Sequence, residues 1–357
     1  MKVRAVALLS GGLDSTLAVQ ILKDQGVHIK ALHFYTGFCI TEQKRRLGLV
    51  NKKGQQHVNP ALRASAQLEV PIEVVDVSKE YFDVVTKPKY GYGKNVNPCV
   101  DCRILMLRKA KEIMEGEDYQ FVITGEVLGQ RPMSQTRSRL RLIEKESGLE
   151  GYLLRPLSAK LLPPTVPEKL GWVDRERLLG IKGKGRKTQI DIAQKYGLSY
   201  EQPAGGCCYL TDESYAIRFR ESLKVEEGIT REDLILFSVG RHLRLPSKTK
   251  LIVARNEGEV KFLKSLKSNY GYAYRKDGTG TFVLIKGDLP EGEYKLVANI
   301  VARYSRRESC FTVLQLKDKK VELYGEPIDD AIVERFKIYK RKGDKDGTQQ
   351  NKAGCGA

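Results

Sequence analysis

Residues 3–15 read VRAVALLSGGLDS. The first seven are almost all apolar and predict a buried β-strand, and the hexapeptide SGGLDS after them is rich in glycine and serine. The following residues, 16–25, read TLAVQILKDQ, with apolar side chains at helical spacing, and they end at Gly26. The stretch therefore predicts a strand, a tight glycine loop and a helix, an arrangement typical of α/β domains.

The same alternation continues through the first third of the chain. Further strands are predicted at 28–35, 72–77 and 121–127, and helices after Asn59-Pro60 and through 101–115. These strands are continuous apolar runs, which is typical of a parallel sheet covered by helices on both faces. We therefore expect an α/β fold with right-handed crossovers and a ligand site at the carboxyl ends of the strands.

The length of 357 residues allows two or three domains. The first is predicted to span 1–212, with later helices near 174–181 and 187–197. A second, smaller α/β domain is predicted over 213–340. The remaining residues, 341–357, have almost no apolar content and are expected to be disordered.

The charge balance favours a polyanionic partner. The chain has 62 Lys and Arg against 44 Asp and Glu, a net charge of +18, and nucleic acid is the first candidate. Five basic runs support a phosphate-rich partner, at 44–46, 137–141, 182–187, 241–244 and 306–307.

Neither a membrane-spanning run nor a secretory pattern is recognisable, so we expect a cytoplasmic protein without a membrane partner. Seven cysteines in such a chain favour metal or sulfur chemistry over a disulfide framework. Of these, Cys39 and Cys310 are expected in the core, with a place near a nucleotide as the alternative for Cys39.

The loop SGGLDS predicts an anion cradle. Its glycines let backbone N–H groups approach a phosphate, the helix N-terminus adds a positive dipole end, and its serine hydroxyls are further donors. The loop lacks the Gly-Lys-Ser/Thr ending of a Walker A motif and the spacing of a dinucleotide loop. An ordinary strand-to-helix turn is the alternative.

Two further loops contain cysteine pairs. One is Asn97-Pro98-Cys99-Val100-Asp101-Cys102, just before a helix, where two thiols share one side and the positive helix end favours thiolates. The other is the glycine-rich segment 203–212 with Cys207 and Cys208, for which a buried apolar pair is the alternative. A loop at 124–131, TGEVLGQR, follows a predicted strand at the expected ligand edge.

The hexapeptide SGGLDS resembles the pyrophosphate loop of the PP-loop ATP pyrophosphatases. Together with NPCVDC, TGEVLGQRP and GGCC, it makes residues 4–212 similar to the tRNA thiouridine synthases of that superfamily, and above all to the tRNA 2-thiouridylases. The resemblance implies a PP-loop, adenine nucleotide alpha hydrolase-like domain that uses ATP and Mg²⁺. It also implies that ATP adenylates a uridine carbonyl oxygen of tRNA and that sulfur displaces AMP to leave thiouridine.

Site residues follow from this resemblance and from the loops. The catalytic candidates are Cys102, Cys208 and Asp14, with Cys207 as an alternative to Cys208 and Asp101 as an alternative for proton handling. The ATP-binding candidates are Ser10, Gly11, Gly12, Asp14, Ser15, Phe34, Gly125 and Gln130.

The resemblance allows two sulfur-transfer schemes. In one branch of these enzymes two cysteines run a persulfide relay. In another, three ligands hold a [4Fe–4S] cluster with one open iron, and Cys99, Cys102 and Cys208 are the corresponding thiolates here. The presence of a third thiolate favours the cluster. A zinc site or a simple redox pair is a further alternative. The zinc site is disfavoured because the four histidines show no ligand spacing with the cysteines.

Residues 240–259 are similar to the RNA-binding module of the NFACT ribosome-associated proteins, which implies an RNA-binding second domain. The expected partners are tRNA and a sulfur donor, either sulfide or a persulfide-carrying protein. Two other functions stay open: a PP-loop ligase that uses ammonia in nucleotide or deazaguanine metabolism, and a non-catalytic RNA-binding protein. The intact SGGLDS loop argues against a non-catalytic protein.

Overall fold

The computed structural model describes residues 2–48, 54, 58–200 and 208–339. The chain forms two compact units: one contains Met1–Glu42 and His57–Cys208, and the other contains Gln43–Gln56 and Tyr209–Ala357. The division after Cys208 lies close to the boundary predicted at residue 212, but the second unit also includes a segment from the first fifth of the chain. The predicted disordered tail, 341–357, lies outside the described residues.

The first unit is built on a five-stranded parallel sheet in the order β3-β2-β1-β4-β5. The parallel α/β fold predicted from the sequence is therefore confirmed. The strands are β1 (Arg4–Leu8), β2 (His28–Tyr35), β3 (Ile72–Asp76), β4 (Phe121–Ile123) and β5 (Leu153–Leu154).

Helices cover both faces of this sheet. They are α1 (Leu13–Lys23), α2 (Ile40–Arg46), α3 (Pro60–Leu68), α4 (Ser78–Thr86), α5 (Cys99–Gly116), α6 (Arg137–Glu146), α7 (Val166–Lys169) and α8 (Lys187–Lys195). Helix α3 begins as the sequence predicts, because the Asn59 side chain accepts a hydrogen bond from Ala61 N and Pro60 takes the first helical position.

The prediction of a helix over 174–181 is wrong. Only a single 3-10 turn forms there, over Arg175–Arg177, and Leu178 is already extended. The chain then runs alongside an earlier segment: Leu179 N–H donates to Pro156 O and Ile181 N–H to Leu157 O. These hydrogen bonds give the backbone N–H groups of the segment a partner. A helix of so few residues would leave most of its backbone groups unpaired.

Strand β1 lies at the centre of the sheet, and its side chains are buried on both faces. On one face Ala5, Ala7 and Leu9 pack in a core with α1 and α3. On the other, Val6 and Leu8 pack in a core with α5. The carboxyl end of β1 is thus held from both sides, which fixes the starting point of the loop that follows it.

The second unit is built on a six-stranded antiparallel sheet in the order β11-β10-β8-β9-β7-β6. Its strands are β6 (Arg241–Arg244), β7 (Lys250–Val253), β8 (Gly271–Arg275), β9 (Phe282–Lys286), β10 (Cys310–Gln315) and β11 (Lys320–Gly325). Its further helices are α9 (Glu213–Val225), α10 (Arg231–Leu236), α11 (Glu257–Ser265), α12 (Tyr294–Tyr304) and α13 (Asp330–Phe336). The predicted smaller α/β domain is confirmed in this form.

A buried ionic network joins α9 to this sheet and uses part of one predicted basic run. Arg244 makes two bonds to Glu221, at 2.7 and 2.8 Å, and one to Glu226 at 2.7 Å. Lys250 is 1% exposed, and burial lowers its pKa to about 8 although Glu226 lies nearby. Arg244 therefore has a structural role, and the run 241–244 is not simply a surface for phosphate.

Among the residues that the structure describes, no helix is both long and apolar enough to cross a bilayer.

Candidate active site

The loop between β1 and α1 depends on a glycine at position 11. Gly11 has φ +75°, in the left-handed region. A Cβ atom there would lie 2.2 Å from the carbonyl carbon of Pro60 and 2.3 Å from its oxygen. The loop and the start of α3 are therefore in backbone contact, and a side chain at this position would push them apart.

Two serine hydroxyls close the loop. Ser10 Oγ and Ser15 Oγ are 3.1 Å apart, and Ser15 Oγ also donates to Gly12 O at 3.0 Å. Gly12 is the N-cap of α1 and has no side chain with which to cap the helix. Because the first N–H groups of a helix lack internal partners and carry its positive dipole end, the loop is suited to bind an anion.

Asp14 in the first turn of α1 is approached from α8. Gln189 Nε2 donates to Asp14 Oδ1 at 3.4 Å, and an Arg186 guanidinium nitrogen lies 4.0 Å from Oδ2. Gln189 is completely buried, and its Oε1 atom has no hydrogen-bond partner among the described residues. The sequence analysis missed Gln189, since nothing in its neighbourhood distinguishes it from other polar residues of a helix.

The loop after β4 touches the first turn of α1 directly. A Cβ atom at Gly125 would lie 2.5 Å from Asp14 C and 2.5 Å from Ser15 N. The predicted pair of loops, SGGLDS and TGEVLGQR, is thus brought together at the carboxyl edge of the sheet. The structure places Gly125 against the backbone of the anion cradle.

A buried ion pair anchors this second loop. Glu126 is 2% exposed, and its carboxylate accepts from Arg155 Nε at 3.0 Å and lies 3.2 Å from Arg103 Nε. Burial alone would raise the pKa of Glu126, but the two guanidinium groups and a bond from Thr124 lower it below its ordinary value. Glu126, Arg103 and Arg155 were not predicted, because their pairing depends on tertiary contacts.

Gln130 and Arg131 follow in the same loop. Gln130 is buried, and its Nε2 atom has no hydrogen-bond partner among the described residues. A buried donor of this kind is a natural contact for a bound ligand. Arg131, an exposed residue, interacts electrostatically with both Asp14 and Cys99.

Phe34 is placed differently from the other ATP-binding candidates. Its side chain is 9% exposed and packs with Val6, Val100 and Ile104 in the core under the sheet. A contact between Phe34 and adenine stays a prediction.

The first turn of α5 holds Cys99 and Cys102, beside a buried tyrosine of α4. Tyr81 is 1% exposed and interacts with Cys99, Cys102 and Cys208, and its hydroxyl group hydrogen-bonds to Cys102. Asp101, the alternative proton carrier, has both carboxylate oxygens occupied by backbone N–H groups, from Lys89 at 2.9 Å and Tyr90 at 3.0 Å. Tyr81 is a second site residue that the sequence analysis missed.

The surroundings favour the protonated form of both helix thiols. Burial raises the pKa of Cys102, and the Tyr81 hydroxyl, Arg103 and Arg131 offset this only in part. Burial, followed by the neighbouring Cys102, also raises the pKa of Cys99. Neither thiol is therefore a strong nucleophile at neutral pH.

The predicted metal ligands do not fit a cluster as the described residues are placed. Over 2–48, 54, 58–200 and 208–339, no group of three or more His, Cys, Asp or Glu side chains is arranged to hold a metal ion. Cys99, Cys102 and Cys208 are all near Tyr81 but do not form a ligand set. Cys207, the alternative third thiol, lies outside the described residues.

The family comparisons match each unit separately. Residues 1–160 match the family described as "Thiamine biosynthesis protein (ThiI)". The resemblance of the first unit to PP-loop domains is thus confirmed. Residues 240–336 match the family described as "NFACT protein RNA binding domain".

Two curated relatives each match part of this chain. A tRNA-specific 2-thiouridylase MnmA of Petrotoga mobilis is 26% identical over 245 residues, which cover 64% of this chain and 60% of the relative. A probable tRNA sulfurtransferase of Thermococcus kodakarensis is 28% identical over 154 residues, covering 43% of this chain and 36% of the relative. The chain thus spans between about one third and 60% of the length of these relatives.

Among solved structures, a 4-thiouridine synthetase in complex with RNA and ATP is similar to this chain. It has 24% identity and a TM-score of 0.35, and the match covers 54% of this chain and 40% of that one. A TM-score this low supports no inference about the site.

Proposed function

We propose that this protein is an ATP-dependent tRNA sulfurtransferase that converts a uridine into a thiouridine. One observation carries the proposal: the loop 124–131 contacts the PP-loop at Gly125 and is joined through Glu126 to Arg103 of α5, the helix whose first turn holds Cys99 and Cys102. The phosphate cradle and the thiols are then two ends of one site. Such a site suits a reaction that first activates an oxygen with ATP and then delivers sulfur to the same carbon atom.

The PP-loop would hold the pyrophosphate part of ATP. The N–H groups at the start of α1 and the Ser10 and Ser15 hydroxyls are the donors, and Arg186 adds positive charge nearby. The Asp14 carboxylate fits Mg²⁺, which takes one or two carboxylates and otherwise phosphate and water oxygens. When bound, Mg²⁺ neutralises charge on the leaving pyrophosphate.

The chain's own residues would then position the nucleotide and the base. The uridine carbonyl oxygen attacks the α-phosphorus of ATP, and the bond to pyrophosphate breaks. A sulfur nucleophile adds to the activated carbon, and the bond to AMP breaks, so that AMP carries away the uridine oxygen. We expect the unpartnered Gln130 Nε2 atom and the Arg131 guanidinium to contact the phosphate during these steps.

Sulfur would be carried as a persulfide on Cys208 or Cys102. A persulfide-carrying protein would supply it, since the cysteine thiolate can take the outer sulfur of another persulfide while the donor leaves as a thiolate. If sulfide is the donor, it attacks the activated carbon directly and no persulfide forms. The [4Fe–4S] cluster expected on Cys99, Cys102 and Cys208 has no ligand set among the described residues, and we propose the sulfur step without it. Iron analysis of anaerobically purified protein tests this choice, and about four iron atoms per chain would reverse it.

The second unit would bind the tRNA. Its match to an RNA-binding domain supports this role, and so does a row of side chains on β10, on β11 and at the residue that follows β8. Phe311 and Tyr324 are register partners, 56% and 48% exposed, with ring centroids 5.3 Å apart. Lys276 extends the row, since its N–H donates to Phe311 O at 2.8 Å, and its ammonium pairs with Glu322 at 2.5 Å.

Exposed aromatic rings beside lysine are suited to stack unpaired bases and contact the backbone phosphates. We therefore propose that Phe311 and Tyr324 contact single-stranded parts of the tRNA.

The proposal is tested by following ATP in the presence and absence of unmodified tRNA. We expect AMP and pyrophosphate only with tRNA, and we expect Cys208→Ser to keep this cleavage while losing thiouridine. Cys310→Ser, in β10 of the second unit, is the matched control and should keep both. ATP cleavage that needs ammonia but not tRNA would favour a ligase, and tRNA binding without any ATP cleavage would refute an enzyme.

A further inference from the structure

Cys39 and Cys208 lie opposite each other in an isolated antiparallel β-bridge. Residues directly opposite in such a pair have Cα atoms roughly 4.5 to 5.5 Å apart. A disulfide spans Cα atoms about 4.4 to 6.8 Å apart. Both residues are half-buried thiols. The backbone thus holds them at a separation that a disulfide can bridge.

The segment with Cys39 is also tied to the other thiols. The Phe38 ring packs against the Tyr81 ring with centroids 5.4 Å apart and an interplanar angle of 58°. Tyr81 in turn interacts with Cys102, Cys208 and Cys99. Cys39 therefore belongs to the same part of the PP-loop domain as the thiols that the sequence motifs single out, rather than to the core where it was expected.

We propose that Cys39 is the resolving thiol for Cys208. This inference rests on the proposed sulfurtransferase function. The terminal sulfur of a Cys208 persulfide attacks the adenylated uridine carbon, and AMP leaves. The Cys39 thiolate then attacks Cys208 Sγ and breaks the bond between the two persulfide sulfurs. Thiouridine leaves, and a Cys39–Cys208 disulfide remains.

The electrons balance within this step. The transferred sulfur gains two electrons as it becomes the thiocarbonyl sulfur, and the two cysteines lose two as they form the disulfide. A dithiol reductant returns the disulfide to two thiols once per turnover. Cys102 is less well placed for this step, because it is fixed in the first turn of α5 and hydrogen-bonded by Tyr81.

The pairing is tested first without any activity measurement. The full chain is oxidised with diamide, which takes two hydrogen atoms from a thiol pair, then alkylated, digested and analysed for linked peptides. We expect a Cys39–Cys208 link that is lost in Cys39→Ser and kept in Cys310→Ser. A link from Cys208 to Cys102 or Cys207, with none to Cys39, would overturn the proposal.

A single turnover then tests the catalytic role. Protein loaded with a small-molecule persulfide is mixed with unmodified tRNA, ATP and Mg²⁺ in the absence of reductant. Wild type should release thiouridine-containing tRNA and form the Cys39–Cys208 disulfide in equal amounts. Cys39→Ser should keep the tRNA covalently attached at Cys208 until a dithiol is added.

The outcomes separate the two proposals. Release of thiolated tRNA by Cys39→Ser at the wild-type rate, without a dithiol, would overturn the role of Cys39 and leave the sulfurtransferase function standing. Absence of thiouridine from the wild-type reaction would refute the proposed function, and with it the catalytic role, whatever disulfide diamide produces.

Discussion

Replacing Gly125 with alanine should separate the two loops that form the ATP site. Gly125 is not among the residues with positive φ, so alanine brings no backbone strain, and the whole effect is steric. The new Cβ atom would lie 2.5 Å from Asp14 C and 2.5 Å from Ser15 N. Because ordinary carbon contacts begin near 3.5 Å, the first turn of α1 must move by about 1 Å.

A displacement of this size has two measurable results. Overpacking of this kind typically lowers the free energy of unfolding by about 1 to 3 kcal/mol. Misplacing a reacting group by about 1 Å can lower a catalytic rate by about a hundredfold. We therefore expect kcat/KM for tRNA-dependent pyrophosphate release to fall by about that factor, while most of the protein stays folded.

The matched control is Gly116→Ala. Gly116 ends helix α5, and a Cβ atom there would meet nothing within 4 Å. It should leave the kinetics unchanged and stabilise the protein by up to about 1 kcal/mol. The free energy of unfolding is measured by denaturant titration. The kinetic constant kcat/KM for ATP is measured from pyrophosphate release at saturating tRNA and varied ATP. Wild-type turnover and stability in Gly125→Ala would refute the contact between the two loops.

Four other substitutions test the remaining contacts. Tyr81→Phe removes a hydrogen bond that lowers the pKa of Cys102, so the midpoint of Cys102 alkylation by iodoacetamide should move to higher pH. Glu126→Gln removes one of the two carboxylates that pair with the buried Arg155, since Glu144 still lies 2.8 Å away, and should lower the free energy of unfolding at pH 7 by about 2 kcal/mol. Phe311→Ala and Tyr324→Ala should each weaken tRNA binding by between about fivefold and a hundredfold in filter-binding assays at fixed salt.

Each of these substitutions has a control variant that should show no effect or a smaller one. Tyr152 is 41% exposed, so Tyr152→Phe should not move the alkylation profile and Tyr152→Ala should not weaken tRNA binding. Glu176 pairs with Lys160 at the surface, and Glu176→Gln should lower the free energy of unfolding by less than about 1 kcal/mol. An unchanged Cys102 profile in Tyr81→Phe, or unchanged tRNA affinity in both aromatic variants, would contradict the contacts proposed.

The Glu126 pair also predicts a pH dependence. Its carboxyl pKa is lower in the folded than in the unfolded protein, so its stabilisation is present above the ordinary carboxyl pKa. That stabilisation is lost as the pH falls through the lower folded value. The difference in unfolding free energy between wild type and Glu126→Gln should therefore shrink below about pH 4. A difference independent of pH would show that the charge of Glu126 is not what stabilises the loop.

Strands and loops with local signals could be predicted from the sequence. The strand predicted at 28–35 matches β2 residue for residue, because a short run rich in apolar residues between polar turns is a local property. The loop SGGLDS lies between β1 and α1 as expected, because Gly11 adopts a left-handed backbone conformation that other residues avoid.

Residues that act through distant partners could not be predicted. Tyr81 and Gln189 have no local pattern that marks them, and only the packing of α4 and α8 brings them to the thiols and to Asp14. Arg244 belongs to a basic run, yet its partners Glu221 and Glu226 lie on a helix some twenty residues earlier. A charge run cannot show which of its members are already paired inside the fold.

The central claim is that ATP drives the exchange of a uridine oxygen for sulfur in tRNA. The most direct measurement incubates the full chain with unmodified tRNA, ATP, Mg²⁺ and a persulfide donor, then digests the tRNA and analyses its nucleosides by mass spectrometry. We expect a thiouridine that requires ATP and is absent with Cys208→Ser. Thiouridine formed equally well without ATP, or ATP cleaved with tRNA present but no sulfur entering the tRNA, would contradict it.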